Sequence, residues 1–131
     1  MISGAHFVMF SKDPEADRKF ISDVFGFRSV DVGEGWLVFA LPPAELATHP
    51  AKRTFGKRQG GHSMAAMLLY LMCDDLAAVV RALQARKCEV ADIVQAPWGE
   101  HTTLTLPSGG EIGLYQPTHV TAIDRKRPSI A

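Results

Sequence analysis

The chain is short of the features that mark several large classes of protein. Its 131 residues include two cysteines, Cys73 and Cys88, too few for a disulfide framework; they read as reduced thiols in a cytoplasmic protein. No run approaches the roughly 20 apolar residues that span a bilayer. The N-terminus, Met1-Ile2-Ser3-Gly4-Ala5-His6, lacks a basic patch ahead of an apolar core and does not read as a signal peptide. An excess of one charge is missing too, since 14 basic side chains face 14 acidic ones. That balance argues against nucleic-acid and membrane-surface partners, both of which demand a positive footprint. There is no phosphate-cradling glycine loop, nucleophile elbow or zinc-knuckle spacing. What is present, 47% hydrophobic and 21% charged residues, is the composition of one globular domain able to build a core without staples.

The clearest element is a helix. Asp13 caps it, Pro14 takes its first position and Gly26 stops it, while Ala16, Phe20 and Val24, with Ile21 and Phe25 beside them, form an apolar stripe at helical spacing. Around it, residues 6–10, 27–32, 36–41 and 45–49 read as strands, with Gly33-Glu34-Gly35 as a turn and Pro42-Pro43 as a terminator. Residues 51–61 hold four basic residues, three glycines and no acids, and read as a basic connecting loop.

The same order then returns. Residues 64–72 read as an apolar strand, and Asp74-Asp75 cap a helix with Leu76, Val79, Val80 and Leu83 on one side. Residues 88–93, 101–106 and 111–115 read as strands, parted by Pro97-Trp98-Gly99 and Pro107-Ser108-Gly109-Gly110. Lys87 falls at the helix exit, where a left-handed residue is needed and glycine is the easier choice. The expected architecture is therefore α+β, two βαβββ modules in one domain. Module 1 spans about 4–50, the basic linker 51–61, module 2 about 62–117, and a flexible tail 118–131. Charge divides in the same way: residues 1–51 carry four bases and seven acids and residues 59–118 three and six, the linker and tail restoring neutrality.

His6 ahead of Asp13, the Phe25-Gly26-Phe27 exit, Asp74-Asp75-Leu76, Trp98-Gly99, and Leu106 to Gly110 leading into Ile112-Gly113-Leu114-Tyr115 together resemble the vicinal oxygen chelate superfamily of glyoxalases, bleomycin-resistance proteins and extradiol dioxygenases. The resemblance covers roughly residues 4–117. It implies sheets curled around a cavity that holds a small molecule, often completed by a symmetric homodimer. Residues 36–45 and 70–75 resemble a small bacterial subgroup whose members are commonly labelled glyoxalase or extradiol dioxygenase.

The resemblance also implies metal ligands on the first and last strand of each module, where a divalent ion would chelate two oxygens of a substrate. His6 matches. Ala47, Leu68 (Met67 in the neighbouring register) and Gly113 cannot ligate. One imidazole holds a metal too weakly, so the expectation is a protein without the usual metal cofactor. The alternative is a displaced divalent-metal site. Residues two apart on a strand share a face, so His6 with His49 or Glu45, and Glu111, would form a two- or three-ligand set; the plainer reading leaves Glu45 and Glu111 solvated and His49 capping a loop.

The same alternation puts Leu37, Phe39, Leu41, Thr102, Leu104 and Leu106 under the helices. It turns Trp36, Val38, Ala40, His101, Thr103 and Thr105 to the cavity, with Tyr115 on the face of Gly113. Trp36, Val38, His101, Thr103 and Tyr115 are thus the candidate ligand contacts, Trp36 reading equally as core and His101 as a surface histidine. His62 reads as a loop residue and His119 as tail. Cys73 stands beside two aspartates that disfavour a thiolate, and Met64, Met67 and Met72 read as core or dimer packing. Two functions follow: a metal-free, small-molecule-binding homodimer, or a metal-dependent glyoxalase-like lyase or extradiol-type dioxygenase using His6.

Overall fold

A computed structural model describes residues 1–52 and 54–123; Arg53 of the expected linker and the end of the expected tail lie outside the described residues. Helix α1 (Pro14–Phe20) begins as its sequence dictates, the Asp13 carboxylate accepting from the Ala16 N–H at 3.1 Å. Its last turn widens into a π-helical turn, Ile21–Phe25, that closes on Gly26 at φ 66°. No residue in the stripe signals that widening, because a π turn shifts the apolar positions by only one residue. Strands β1 (Ser29–Asp31) and β2 (Leu37–Phe39) pair antiparallel, and the Asp31 carboxylate accepts from the Gly33 and Gly35 N–H groups of their turn.

Three expectations need correction. Residues 6–10 and 45–49 form no strands: the strand propensity of their side chains is not matched by a place in any of the three sheets formed by the described residues. Phe7, Val8 and Met9 are exposed as a result. The basic linker is not a loop but a hairpin of β3 (Phe55–Gln59) and β4 (His62–Ala65). Gly60 and Gly61, at φ 58° and 80°, make the two-residue turn whose twist matches paired strands. The long strand expected over 64–72 is therefore split: its start belongs to this hairpin, and β5 covers Tyr70–Met72 alone.

The second half is built around one mixed sheet. β5 runs parallel to β9 (Glu111–Pro117), which pairs antiparallel with β8 (Gly99–Thr105). β8 in turn pairs with β6 (Glu89–Val90) and with β7 (Val94–Ala96), a short strand not expected from the sequence. Helix α2 (Leu76–Ala85) packs on one face. Its N-terminus is capped by Asp75 and by the Gln116 side chain, which accepts from the Leu76 N–H at 2.8 Å. Its exit is a Schellman motif: the Lys87 and Cys88 N–H groups donate to Gln84 and Leu83, with Lys87 held at φ 62°.

The core joins Leu76, Val80 and Leu83 of α2 to Leu104, Leu106, Ile112 and Leu114 of the sheet, with Phe20, Val24 and Phe25 packed against it. Thr102 is buried on the same face and donates to the Ala91 carbonyl at 2.6 Å. Asp17 ties α1 to the β8–β9 turn. Only 2% exposed, it accepts from the Ser11 hydroxyl, the Ser108 hydroxyl and the Ser108 N–H. Among the described residues no helix is long and apolar enough to cross a membrane.

Candidate functional site

With Leu71, Thr102, Leu104, Ile112 and Leu114 committed to the core side, strand alternation assigns the other face of the sheet to Tyr70, Met72, His101, Thr103, Gly113 and Tyr115. Register sets these in rows. Tyr70, Gly113 and Thr103 stand side by side, and Met72, Tyr115 and His101 form the next row.

Glycine shapes this face. A Cβ on Gly113 would overlap the ring of Tyr70, so the tyrosine lies across the gap that the missing side chain leaves. Gly99 repeats the device at the start of β8: at φ 151°, its Cβ would meet the Tyr115 ring at 2.7 Å and overlap the Gln116 carbonyl. Two tyrosine rings thus sit on glycine backbone. Tyr115 is fixed further, its hydroxyl donating to the Trp98 carbonyl at 2.9 Å. Burial, and then the nearby Glu45 charge, raise its pKa above 10.0 and keep the phenol neutral.

The rings form a continuous group. Tyr115 meets Tyr70 edge-on at 6.0 Å and Trp98 at 5.2 Å, while Trp98 stacks on His101 at 4.7 Å with 20° between planes. His119 lies 5.9 Å from Tyr115, with its Nε2 3.9 Å from the Glu45 carboxylate. Glu45 also accepts from the Ala122 N–H at 2.8 Å, linking residues 40–50 to the chain beyond β9.

Of the residues expected at the cavity, the structure gathers His101, Thr103 and Tyr115 on this face. Trp36 and Val38 stand on the separate β1–β2 pair, where Trp36 is 62% exposed with the Arg18 guanidinium 4.8 Å above its ring. Sequence reasoning overlooked Tyr70, Trp98 and His119 as contributors. The spacing of Tyr70 and Met72 carried a signal for the first, but the contact with Gly113 needs the parallel β5–β9 pairing to be known.

The candidate metal ligands scatter. His6 and His49 are exposed in segments without secondary structure, Glu111 is exposed at the start of β9, and Glu45 is engaged with Ala122 and His119. Ala47 is exposed and Leu68 is 83% exposed. Among the described residues no three His, Cys, Asp or Glu side chains stand close enough to hold a metal ion. The residues present do not fit the usual metal centre, since the one carboxylate position on the built sheet is a glycine under a tyrosine ring. At Cys73 burial, and then Asp74, raise the thiol above its ordinary 9.0 despite a hydrogen bond that favours the thiolate, which disfavours the reactive form.

Residues 4–113 match the family model described as Glyoxalase/Bleomycin resistance protein/Dioxygenase superfamily. Among solved structures, the chain is similar to TnmS3, an antibiotic binding protein from Streptomyces sp. CB03234, at 26% identity, covering 89% of this chain and 98% of that one with a TM-score of 0.62. It shares its fold with lactoylglutathione lyase from Agrobacterium tumefaciens (17% identity, 87% and 92% coverage, TM-score 0.58). It also shares it with the fosfomycin resistance protein FosX from Listeria monocytogenes (12% identity, 90% and 96% coverage, TM-score 0.54). No curated protein matches the sequence.

Proposed function

We propose a function from the premise that this chain belongs to the Glyoxalase/Bleomycin resistance protein/Dioxygenase superfamily: it binds a small organic molecule against the sheet face that carries Tyr70, His101, Thr103 and Tyr115, without the family's usual metal centre. The observation that carries this reading is Gly113. The superfamily resemblance calls for a metal-binding side chain there, and the chain offers a bare backbone covered by a tyrosine ring. A face with aromatic rings, the Thr103 and Thr105 hydroxyls and the His101 and His119 imidazoles suits a partly apolar ligand with a few polar groups. The likeness to an antibiotic binding protein supports binding over catalysis.

The two-module arrangement belongs to the same reading. Module 2 supplies the built sheet, and module 1 supplies α1, the β1–β2 pair and the unpaired residues 6–9 and 45–49 as the opposite wall. A second copy of the chain completes it. Phe7, Val8, Met9, Met67 and Leu68 are between 43% and 83% exposed, an apolar set that water does not favour and a homodimer would cover.

Elemental analysis of protein purified without chelator tests the metal-free claim, with native mass spectrometry of the same sample to reveal a co-purified organic ligand. We expect less than one metal per ten chains and no change in melting temperature with added manganese, zinc or nickel. Stoichiometric metal that disappears in His6→Ala would overturn the reading in favour of a metal enzyme.

A further inference from the structure

One ring on the site face is covered by a segment that belongs to no strand. Tyr115 points away from the core, yet it is only 9% exposed. Tyr70 stands against it from β5 and Trp98 from the turn before β8. The third neighbour is His119, whose ring lies 5.9 Å away. His119 belongs to residues 118–122, which leave β9 and run on without helix or strand.

That segment is fastened at both ends. At its start, Thr118 donates its N–H to the Trp98 carbonyl at 3.1 Å and its hydroxyl to the Pro97 carbonyl at 3.2 Å. At its far end, the Ala122 N–H donates to the Glu45 carboxylate at 2.8 Å. Between the two, the His119 ring is steadied by its Nδ1, 2.8 Å from the Val120 carbonyl, and by its Nε2, 3.9 Å from the same carboxylate. The two fastenings differ in kind. Thr118 is tied to the turn that opens β8, whereas Glu45 lies in residues 40–50, a stretch with no regular structure of its own. A hydrogen bond between two irregular segments opens more readily than one made to the border of a packed sheet.

We propose that residues 118–122 form a strap that closes over Tyr115 in the free chain, hinged at Thr118 and released at Glu45, so that a ligand reaches Tyr115 only when the strap lifts. The proposal rests on the ligand-binding reading above and adds its regulation. His119 is the cover and Glu45 the clasp. Closure lowers the apparent affinity of the face by the fraction of chains that stand open, and whatever breaks the Glu45 clasp raises that affinity in proportion.

Two measurements on the full chain read the strap with no ligand present. Amide exchange by NMR should show Ala122 protection falling at least fivefold in Glu45→Ala, with Thr118 and the amides of β8 and β9 protected as in the parent. Glu45→Gln, which keeps an acceptor oxygen, should retain most of the Ala122 protection. Hydroxyl-radical footprinting should label Tyr115 at least threefold faster in both Glu45→Ala and His119→Ala, with Trp36 on the separate β1–β2 pair as reference. His119→Ala should leave Ala122 protected. The neutral dye Nile red then reads the gate: Glu45→Ala should bind it about fivefold more tightly than the parent, and bound dye should suppress Tyr115 labelling. Unchanged Ala122 exchange or unchanged Tyr115 labelling in Glu45→Ala would overturn the strap, and loss of Thr118 protection along with Ala122 would overturn the hinge. Equal dye affinity of the two chains, or a gain that leaves Tyr115 labelling untouched, would overturn the gate. The two readings fail separately, because exchange and footprinting need no ligand, whereas the binding reading falls to stoichiometric His6-dependent metal.

Discussion

Lys87 bears the sharpest consequence at the scale of single residues. It sits at φ 62° where α2 hands the chain to β6, a conformation that places an L side chain against its own carbonyl and costs about 1 kcal/mol relative to glycine. The sequence marked this position, because the helix stripe ends at Leu83 and a left-handed residue must follow within a few places. Lys87→Gly should therefore leave the melting temperature unchanged or raise it by about 3 °C, as scanning calorimetry would record. A fall would mean that the lysine side chain contributes something the exposed position does not suggest. Gly113 teaches the opposite lesson. Its identity is plain in the sequence, but its meaning depends on Tyr70, a residue more than forty positions earlier that reaches it only through the parallel pairing of β5 with β9.

At the scale of elements, local signals are legible in the sequence and non-local ones are not. The caps at Asp13 and Asp75, the core stripe of α2 and the inside–outside alternation of β8 are properties of a few consecutive residues, and each was legible. The β3–β4 hairpin is hidden in the sequence because four bases and three glycines outweigh the two-residue Gly60-Gly61 turn that pairs its strands. Residues 6–10 have the propensity of a strand, but propensity alone does not set where a strand forms. The tie between α1 and the β8–β9 turn was not legible either, since it joins Asp17 to Ser108 across most of the chain. That tie makes a quantitative forecast. Burial pushes the Asp17 carboxyl upward, but donors from Ser108 and Ser11 outweigh it, and the net pKa lies below the ordinary 3.8. A carboxyl held lower in the fold than in the unfolded chain adds stability that is complete above about pH 3.8 and fades as pH falls through the folded value. Asp17→Asn should lose about 1–3 kcal/mol in urea titrations at pH 7. The gap from the parent should narrow below pH 3.8; a gap that stays constant down to pH 2 would refute the assignment.

For the whole molecule, the uneven distribution of order is informative. The second half holds a five-stranded sheet with a buried core, whereas the first half leaves apolar residues 7–9 open to water, as are Met67 and Leu68 beyond the hairpin. A homodimer that covers them should appear in light scattering as twice the 14.3 kDa chain. Val8→Asp and Leu68→Asp should each shift it toward monomer, because burying a carboxylate in an apolar interface is strongly unfavourable. A parent chain that stays monomeric at about 100 μM would remove the second copy from the site.

The tyrosine lying over Gly113 also constrains which side chains position 113 can accept. Placing a carboxylate at position 113 by one substitution would drive its Cβ into the Tyr70 ring, so such a variant is strained as it stands. The Tyr70 ring would have to shift from its place over the Gly113 backbone, which would rearrange its edge-on contact with Tyr115. A carboxylate at 113 therefore needs a second change at position 70 to make room for it. The overlap of one ring with one absent side chain thus ties the identities of two positions, 70 and 113, that lie on different strands.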